Sequence, residues 1–264
     1  MAKRLSMLVI LMTLLVMTLV ASFIMPATAQ TAMDVPTGDL RLVNGLVGLG
    51  PVDVYLNDRR LAYDLAPEAA TTYFTILAGR YTVAVRPAGA DPYSVPIADM
   101  LVDLVQGQSL TAIAYQKQFA SAGYVPPYGQ AGAIYVVADD RSPIQPGKTR
   151  LTAVHLAVGA PDSITVGYPR ASLLYNIGLE KPFGSVDSDS GLYSLTLVDA
   201  QSTSLDVLER FGDQSFYANT LYTLVIVPNM TYTLSTLDQR PIVAENIPQP
   251  HLFIVTAPVQ PPEG

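Results

Sequence analysis

The sequence predicts an all-β chain, two tandem antiparallel β-sandwiches of immunoglobulin-like or transthyretin-like type behind an N-terminal signal segment. Three observations carry this. The chain repeats its landmarks at an offset near 111 residues. Each copy is a series of short alternating or apolar runs parted by turn residues, and helical periodicity is almost absent.

Residues 1–29 read as a signal peptide. Lys3 and Arg4 precede an apolar run from Met7 to Val20, and Ala27-Thr28-Ala29 supplies the small-x-small pattern that a signal peptidase reads, leaving Gln30 first. A retained anchor is the rival reading, because the apolar character persists through Phe23, Ile24 and Met25. Without that segment the chain has 13 Lys and Arg against 22 Asp and Glu, a net charge near −9. Such acidity, with no basic run, argues against nucleic acid and against anionic membrane surfaces, so membrane contact is expected only through an uncleaved leader. There is no cysteine, which excludes a disulfide scaffold, thiolate catalysis and Cys-ligated metal.

The repeat sets the domain organisation. Asn44 in RLVNGLVGLGP corresponds to His155 in TAVHLAVGAP at an offset of 111, Gly79 to Gly191 at 112, and Leu110 in SLTAIAY to Leu221 in TLYTLVI at 111. A fourth pairing, AIYVVADDRSPI with YTLSTLDQRPI, is only 99 apart, which places an insertion at 116–132 of the first copy. A unit this long is far above solenoid size and needs its own core. The expected domains are therefore 39–140, with the 116–132 insertion, and 149–257. A Pro- and Gly-containing connector at 141–148 joins them, and a Pro-rich tail follows at 258–264.

The first copy yields the runs LRLVN, VDVYL, RLAYDL, TYFTI, RYTVAV, MLVDLV, LTAIAY and AIYVVA. Asn57-Asp58 suits a tight hairpin between the second and third. AGRYTVAV and SGLYSLTL share a small-Gly-x-Tyr start, in which Gly79 and Gly191 are expected to supply a turn and Tyr81 and Tyr193 to begin a strand. Asn44 and His155 are expected to close turns by bonding loop backbone.

These stretches resemble a secreted bacterial family known as domain of unknown function 4397. Its pattern is an apolar strand ending in His, a Pro-containing loop, a VDVY strand and a small-Gly-x-Tyr turn. Val52, Asp53, Val54, Tyr55, Gly79 and Tyr81 match in the first copy, and His155, Pro161, Gly191 and Tyr193 in the second. The first copy departs with Asn44 in place of the His, the second with SITV at 163–166 in place of VDVY. The resemblance implies an extracellular or envelope-associated pair of β-sandwiches and brings no activity with it.

The candidate chemistry is sparse. His155 and His251 are the two histidines, without metal-ligand spacing, so no zinc site is expected. In DSDSG, Asp187 and Asp189 stand at i and i+2 as in calcium loops, but Gly191 comes early and an apolar strand follows, so a polar turn is the plainer reading. Asp139-Asp140-Arg141 and Asp238-Gln239-Arg240 read as strand-end turns. No G-x-S-x-G elbow is present, and GLVGLG at 45–50 precedes a strand rather than a phosphate-binding helix. Tyr124 and Tyr128 in the 116–132 segment are the candidate recognition residues, able to stack on a sugar or peptide.

The expected function is that of a non-catalytic secreted or cell-surface protein without cofactors. Its paired sandwiches would act as structural, adhesion or protein-interaction modules toward an extracellular or envelope protein or glycan. A carbohydrate- or peptide-binding module using the 116–132 loop is the alternative, and an envelope hydrolase a second one.

Overall fold

A computed structural model describes residues 35–117, 131–168, 171–202, 206–229, 232–234, 241–243 and 249–259. The leader and most of the 116–132 segment lie outside them. In chain order the strands are β1 (Thr37–Gly45), β2 (Val52–Leu56), β3 (Arg59–Leu65), β4 (Phe74–Leu77), β5 (Gly79–Pro87), β6 (Ala98–Leu104), β7 (Ser109–Gln116), β8 (Gly132–Ala138), β9 (Lys148–His155), β10 (Ser163–Tyr168), β11 (Ala171–Gly178), β12 (Val186–Asp189), β13 (Gly191–Asp199), β14 (Val207–Phe216), β15 (Thr220–Asn229), β16 (Tyr232–Leu234), β17 (Pro241–Val243) and β18 (Gln249–Pro258). No α-helix occurs among the described residues.

Sheets ordered β4-β1-β7-β8 and β3-β2-β5-β6 form the first sandwich, and β12-β9-β15-β18 and β11-β10-β13-β14 the second. These orders differ from the ABED and CFG sheets of an immunoglobulin domain, which leaves the transthyretin-like alternative. The ladders are antiparallel as expected except two, in which β1 pairs with β7, and β9 with β15, in parallel. Asn57-Asp58 joins β2 to β3, with Asn57 in the left-handed region at φ 53°.

The matching sheet orders also correct the repeat. The partner of β15 that corresponds to β8 is β18, so AIYVVA is matched by HLFIVTA and not by YTLSTLDQRPI. The 117–131 connection is thus no one-sided insertion: the second copy has a longer one at 230–248, which contains the β16–β17 hairpin. The β7 landmark also shifts by one residue. Asn44 faces Ala114 while His155 faces Ile226, so Leu110 corresponds to Tyr222 rather than Leu221. A strand moved by one residue turns its other face inward, and Tyr222 is indeed the residue that enters the second core.

Each sandwich has its own core. Leu40, Leu42, Val54, Val85 and Ala112 fill the first; Leu151, Ile164, Leu195, Tyr222 and Leu224 fill the second. A third cluster spans both copies, with Val43, Ile113 and Tyr115 against Val154, Leu156, Val225, Val227, Phe253 and Val255. It explains why β1, β7, β9 and β15 are buried along nearly their whole length. One face serves its own core and the other serves the join, whereas β14 on an outer sheet stays largely exposed. Each aliphatic side chain fully buried there contributes about 1.5–3 kcal/mol. At Gly45 a β-carbon would lie 2.8 Å from the Ala114 carbonyl oxygen and 3.1 Å from Val227, so only glycine admits this approach of the second sandwich.

Candidate functional site

The turns that follow β1 and β9 are built alike. In the first copy, Leu46 N–H donates to Asn44 Oδ1 at 3.0 Å, and Asn44 Nδ2 donates to the carbonyls of Gly50 (3.3 Å) and Leu65 (2.9 Å). In the second, Ala157 N–H donates to His155 Nδ1 at 3.3 Å and His155 Nε2–H donates to the Pro161 carbonyl at 2.8 Å. The backbone partners are residues i+2 and i+6 in both, and both side chains are wholly buried. These bonds assign His155 a neutral ring with its proton on Nε2. Burial holds its pKa below the usual histidine value, against the opposing effects of the Pro161 carbonyl and Asp162.

The Gly-x-Tyr starts are also equivalent. Tyr81 Oη donates to the Leu77 carbonyl and Tyr193 Oη to the Asp189 carbonyl, each at 2.8 Å. Neither Gly79 nor Gly191 has the left-handed backbone expected of a turn glycine, because each already lies in its strand. A β-carbon would instead meet the tyrosine ring at 3.6 Å in one and 3.7 Å in the other, so the ring folds back over the bare glycine.

In VDVY, buried Asp53 accepts from Asp64 N–H at 3.0 Å and Gly89 N–H at 3.1 Å and pairs with Arg60 at 3.1 Å. The guanidinium groups of Arg60 and Arg86 lie over the Tyr55 ring, 5.3 and 4.7 Å from its centre. Strand pairing places the counterpart of VDVY at 164–167, one residue later than SITV, so Thr165 stands where Asp53 does, and its Oγ1 keeps the first of these contacts by accepting from Asn176 N–H at 3.5 Å. Asp64 and Asn176 both take left-handed φ, 46° and 51°.

Asp187 lies opposite Arg150 and Asp189 opposite Lys148 on the neighbouring strand. Asp187 makes a two-point pair with Arg150 at 2.7 and 2.9 Å, and Asp189 a 2.8 Å pair with Lys148, so cations of the protein already occupy both carboxylates. No group of three or more His, Asp or Glu side chains able to hold a metal is gathered among the described residues. Tyr124, Tyr128 and Asp238-Gln239-Arg240 lie outside the described residues. An open cleft of about 820 Å³ runs along the edge of the first sandwich, lined by Leu56, Asn57, Arg59, Ile76, Leu77 and Tyr81 among others.

The polar side chains that do converge lie at the join. Arg41 is 1% exposed. It donates from Nε to Thr111 Oγ1 at 2.7 Å in its own sandwich, and from Nη2 to Thr223 Oγ1 at 2.9 Å and Nη1 to the Thr256 carbonyl at 3.1 Å in the other. Asp139 stands 3.7 Å from Arg41 Nη2 and accepts from Thr111 Oγ1 and, at 2.8 Å, from Tyr73 Oη. Burial pushes the Asp139 carboxyl above its usual range, while Arg41 pulls it down. Burial and the Asp139 charge also push the Tyr73 phenol up. Arg141 stacks on the Tyr73 ring at 4.3 Å and pairs with Asp39 at 2.6 Å. Asp139 and Arg141 are thus parts of a buried lock, where the sequence suggested only a strand-end turn. The connector is pinned as well: Ile144 is buried, and Arg150 binds the Ser142 carbonyl at 3.1 Å and Asp140 at 3.0 Å.

Two equivalent glutamates close the join from either side. Glu68 N–H donates to the Asn44 carbonyl at 2.7 Å and Glu180 N–H to the His155 carbonyl at 2.8 Å, both with left-handed φ, 63° and 51°. Glu180 reaches into the first sandwich, accepting from Tyr115 Oη at 2.6 Å and pairing with Lys117 at 3.2 Å. Glu68 reaches the second, where it meets His251 Nε2 at 3.2 Å. Their separation equals that of Gly79 and Gly191, a signal in the sequence that motif reading passes over because the flanking residues differ.

A search of curated proteins finds no match. Among solved structures, a family 41 carbohydrate-binding module from streptococcal virulence factors, described for alpha-glucan recognition, is 13% identical, covering 71% of this chain and 93% of its own, with a TM-score of 0.23. A candidate cell adhesion protein from Parabacteroides distasonis is 9% identical, covering 85% of this chain and 99% of its own, with a TM-score of 0.22. Scores this low give neither likeness weight for function. Residues 38–165, which span the first sandwich and the opening strands of the second, match the model of the family described as "Domain of unknown function (DUF4397)", and this match supports the family that the motifs resemble.

Proposed function

We propose that this chain is a non-catalytic secreted or cell-envelope protein whose two sandwiches, held as one body, act as a structural, adhesion or protein-interaction module. The observation that carries the reading is the join: its apolar cluster and the buried Arg41, which donates to Thr223 and to the Thr256 carbonyl, tie both copies together. A spacer or adhesion module needs a fixed relation between its ends, and a polar lock of this kind holds the register of two apolar faces that could otherwise slide. His155 has both ring nitrogens bonded to backbone, which suits a structural part better than a proton-transfer group. The leader-like first 29 residues support export, and an extracellular or envelope protein or glycan is the partner class proposed.

The test is fractionation and cross-linking of the tagged chain in its native host. Recovery in the envelope or medium, cross-linked to a protein or glycan, is the expected result. Retention in the cytoplasm, or turnover of an envelope polymer that His155→Ala abolishes, overturns the reading.

A further inference from the structure

The join is closed by the same glutamate in each copy, but the partners differ in kind. Glu180 holds Lys117 and the Tyr115 hydroxyl, whose phenol burial and Glu180 push above its usual range. Glu68 holds an imidazole. His251 Nδ1 lies 3.0 Å from Glu209 Oε1 in its own sandwich, while Nε2 lies 3.2 Å from Glu68 Oε1 in the other. Among the described residues these are the two carboxylates within ion-pairing distance of the ring; its partner across the ladder, Val227, is uncharged.

We propose that His251 is a proton-operated latch between the two sandwiches. With both nitrogens protonated, the ring donates to Glu209 and to Glu68 at once and closes this edge of the join. A neutral imidazole has one N–H, so one carboxylate must then face a lone pair. Glu209 is the better held, because its second oxygen accepts from Leu252 N–H at 2.9 Å. Glu68 is tied through its backbone to Asn44, but its side chain is 43% exposed and free to turn toward water. Loss of the proton therefore keeps the contact with Glu209 and releases Glu68, and with it the bridge between sandwiches. The arrangement does not suit a metal, since the carboxylates lie on opposite ring nitrogens. The bond to Glu209 and the two carboxylate charges hold the His251 pKa above the usual histidine value, although burial opposes them. While both glutamates are ionised, the latch is accordingly closed through the ordinary histidine range and opens as pH rises through the raised value.

The test is NMR titration of the histidine rings in the full-length chain, which has two histidines to resolve, combined with amide exchange of Glu68 corrected for the intrinsic effect of pH. The latch predicts a His251 midpoint above the ordinary one, a lower midpoint in Glu68→Gln, and a rise in Glu68 amide exchange that follows the His251 titration in the wild type. His251→Gln, whose amide stays neutral at every pH, should lose the pH dependence of that exchange. A His251 midpoint unmoved by Glu68→Gln, or Glu68 exchange that ignores the titration, overturns the proposal.

Discussion

Replacing His155 tests the repeat at the level of single hydrogen bonds. In His155→Ala, the Ala157 N–H and Pro161 carbonyl lose the ring that joins them. Each unsatisfied buried backbone group costs about 1–3 kcal/mol, so the pair amounts to about 2–6 kcal/mol before any cavity is counted. For a domain of this size about 1 kcal/mol moves Tm by about 2–4 °C, giving a loss on the order of 10 °C. Asn44 bonds the same two backbone positions in the first copy, so His155→Asn should restore more than half of the loss. The two variants also differ from wild type in acid. Because burial lowers the folded pKa of His155, its neutral ring supports the fold fully above about 6.5, and that support falls away as pH drops from there toward the lower folded value. Subtracting the His155→Asn stability curve from that of wild type should expose this limb. Urea unfolding at several pH values measures all of it. Equal losses in the Ala and Asn variants, or a difference curve flat below pH 6.5, would refute the reasoning.

Other perturbations reach other parts of the molecule. Arg41→Met leaves the Asp139 carboxylate buried without its cation and should cost about 3–5 kcal/mol by chemical unfolding, far beyond a surface pair. Gly45→Ala drives a methyl into the Ala114 carbonyl and Val227; a loss of about 1–3 kcal/mol is expected, with the shifts confined to the join in NMR spectra. Millimolar calcium should leave Tm unchanged, since Lys148 and Arg150 already hold Asp189 and Asp187; a calcium-dependent rise would mean the ion displaces them.

The sandwich pair was legible because its signals are local. Alternating runs, Asn57-Asp58 and the Gly-x-Tyr starts each act within a few residues, and Asn44 and His155 bond backbone close by in the chain. The join was not legible in the same way. Thr223 and Thr256 stand far from Arg41 in sequence, and Asp139 looks like any strand-end acid until its partners close around it. The available clue was the density of apolar residues in SLTAIAY and TLYTLVIV, too continuous for strands with one wet face. Register was the other blind spot. Matching Leu110 to Leu221 by residue type put the alignment one position out, and only strand pairing could show Tyr222 to be the inward residue.

The account rests most heavily on the join making one body of two repeats, and scanning calorimetry tests that directly. One transition, with calorimetric and van't Hoff enthalpies in a ratio of about 1, is the predicted result, and Arg41→Met should lower its midpoint as a whole. Two separated transitions in the wild type, each with the enthalpy of a single sandwich, would contradict it.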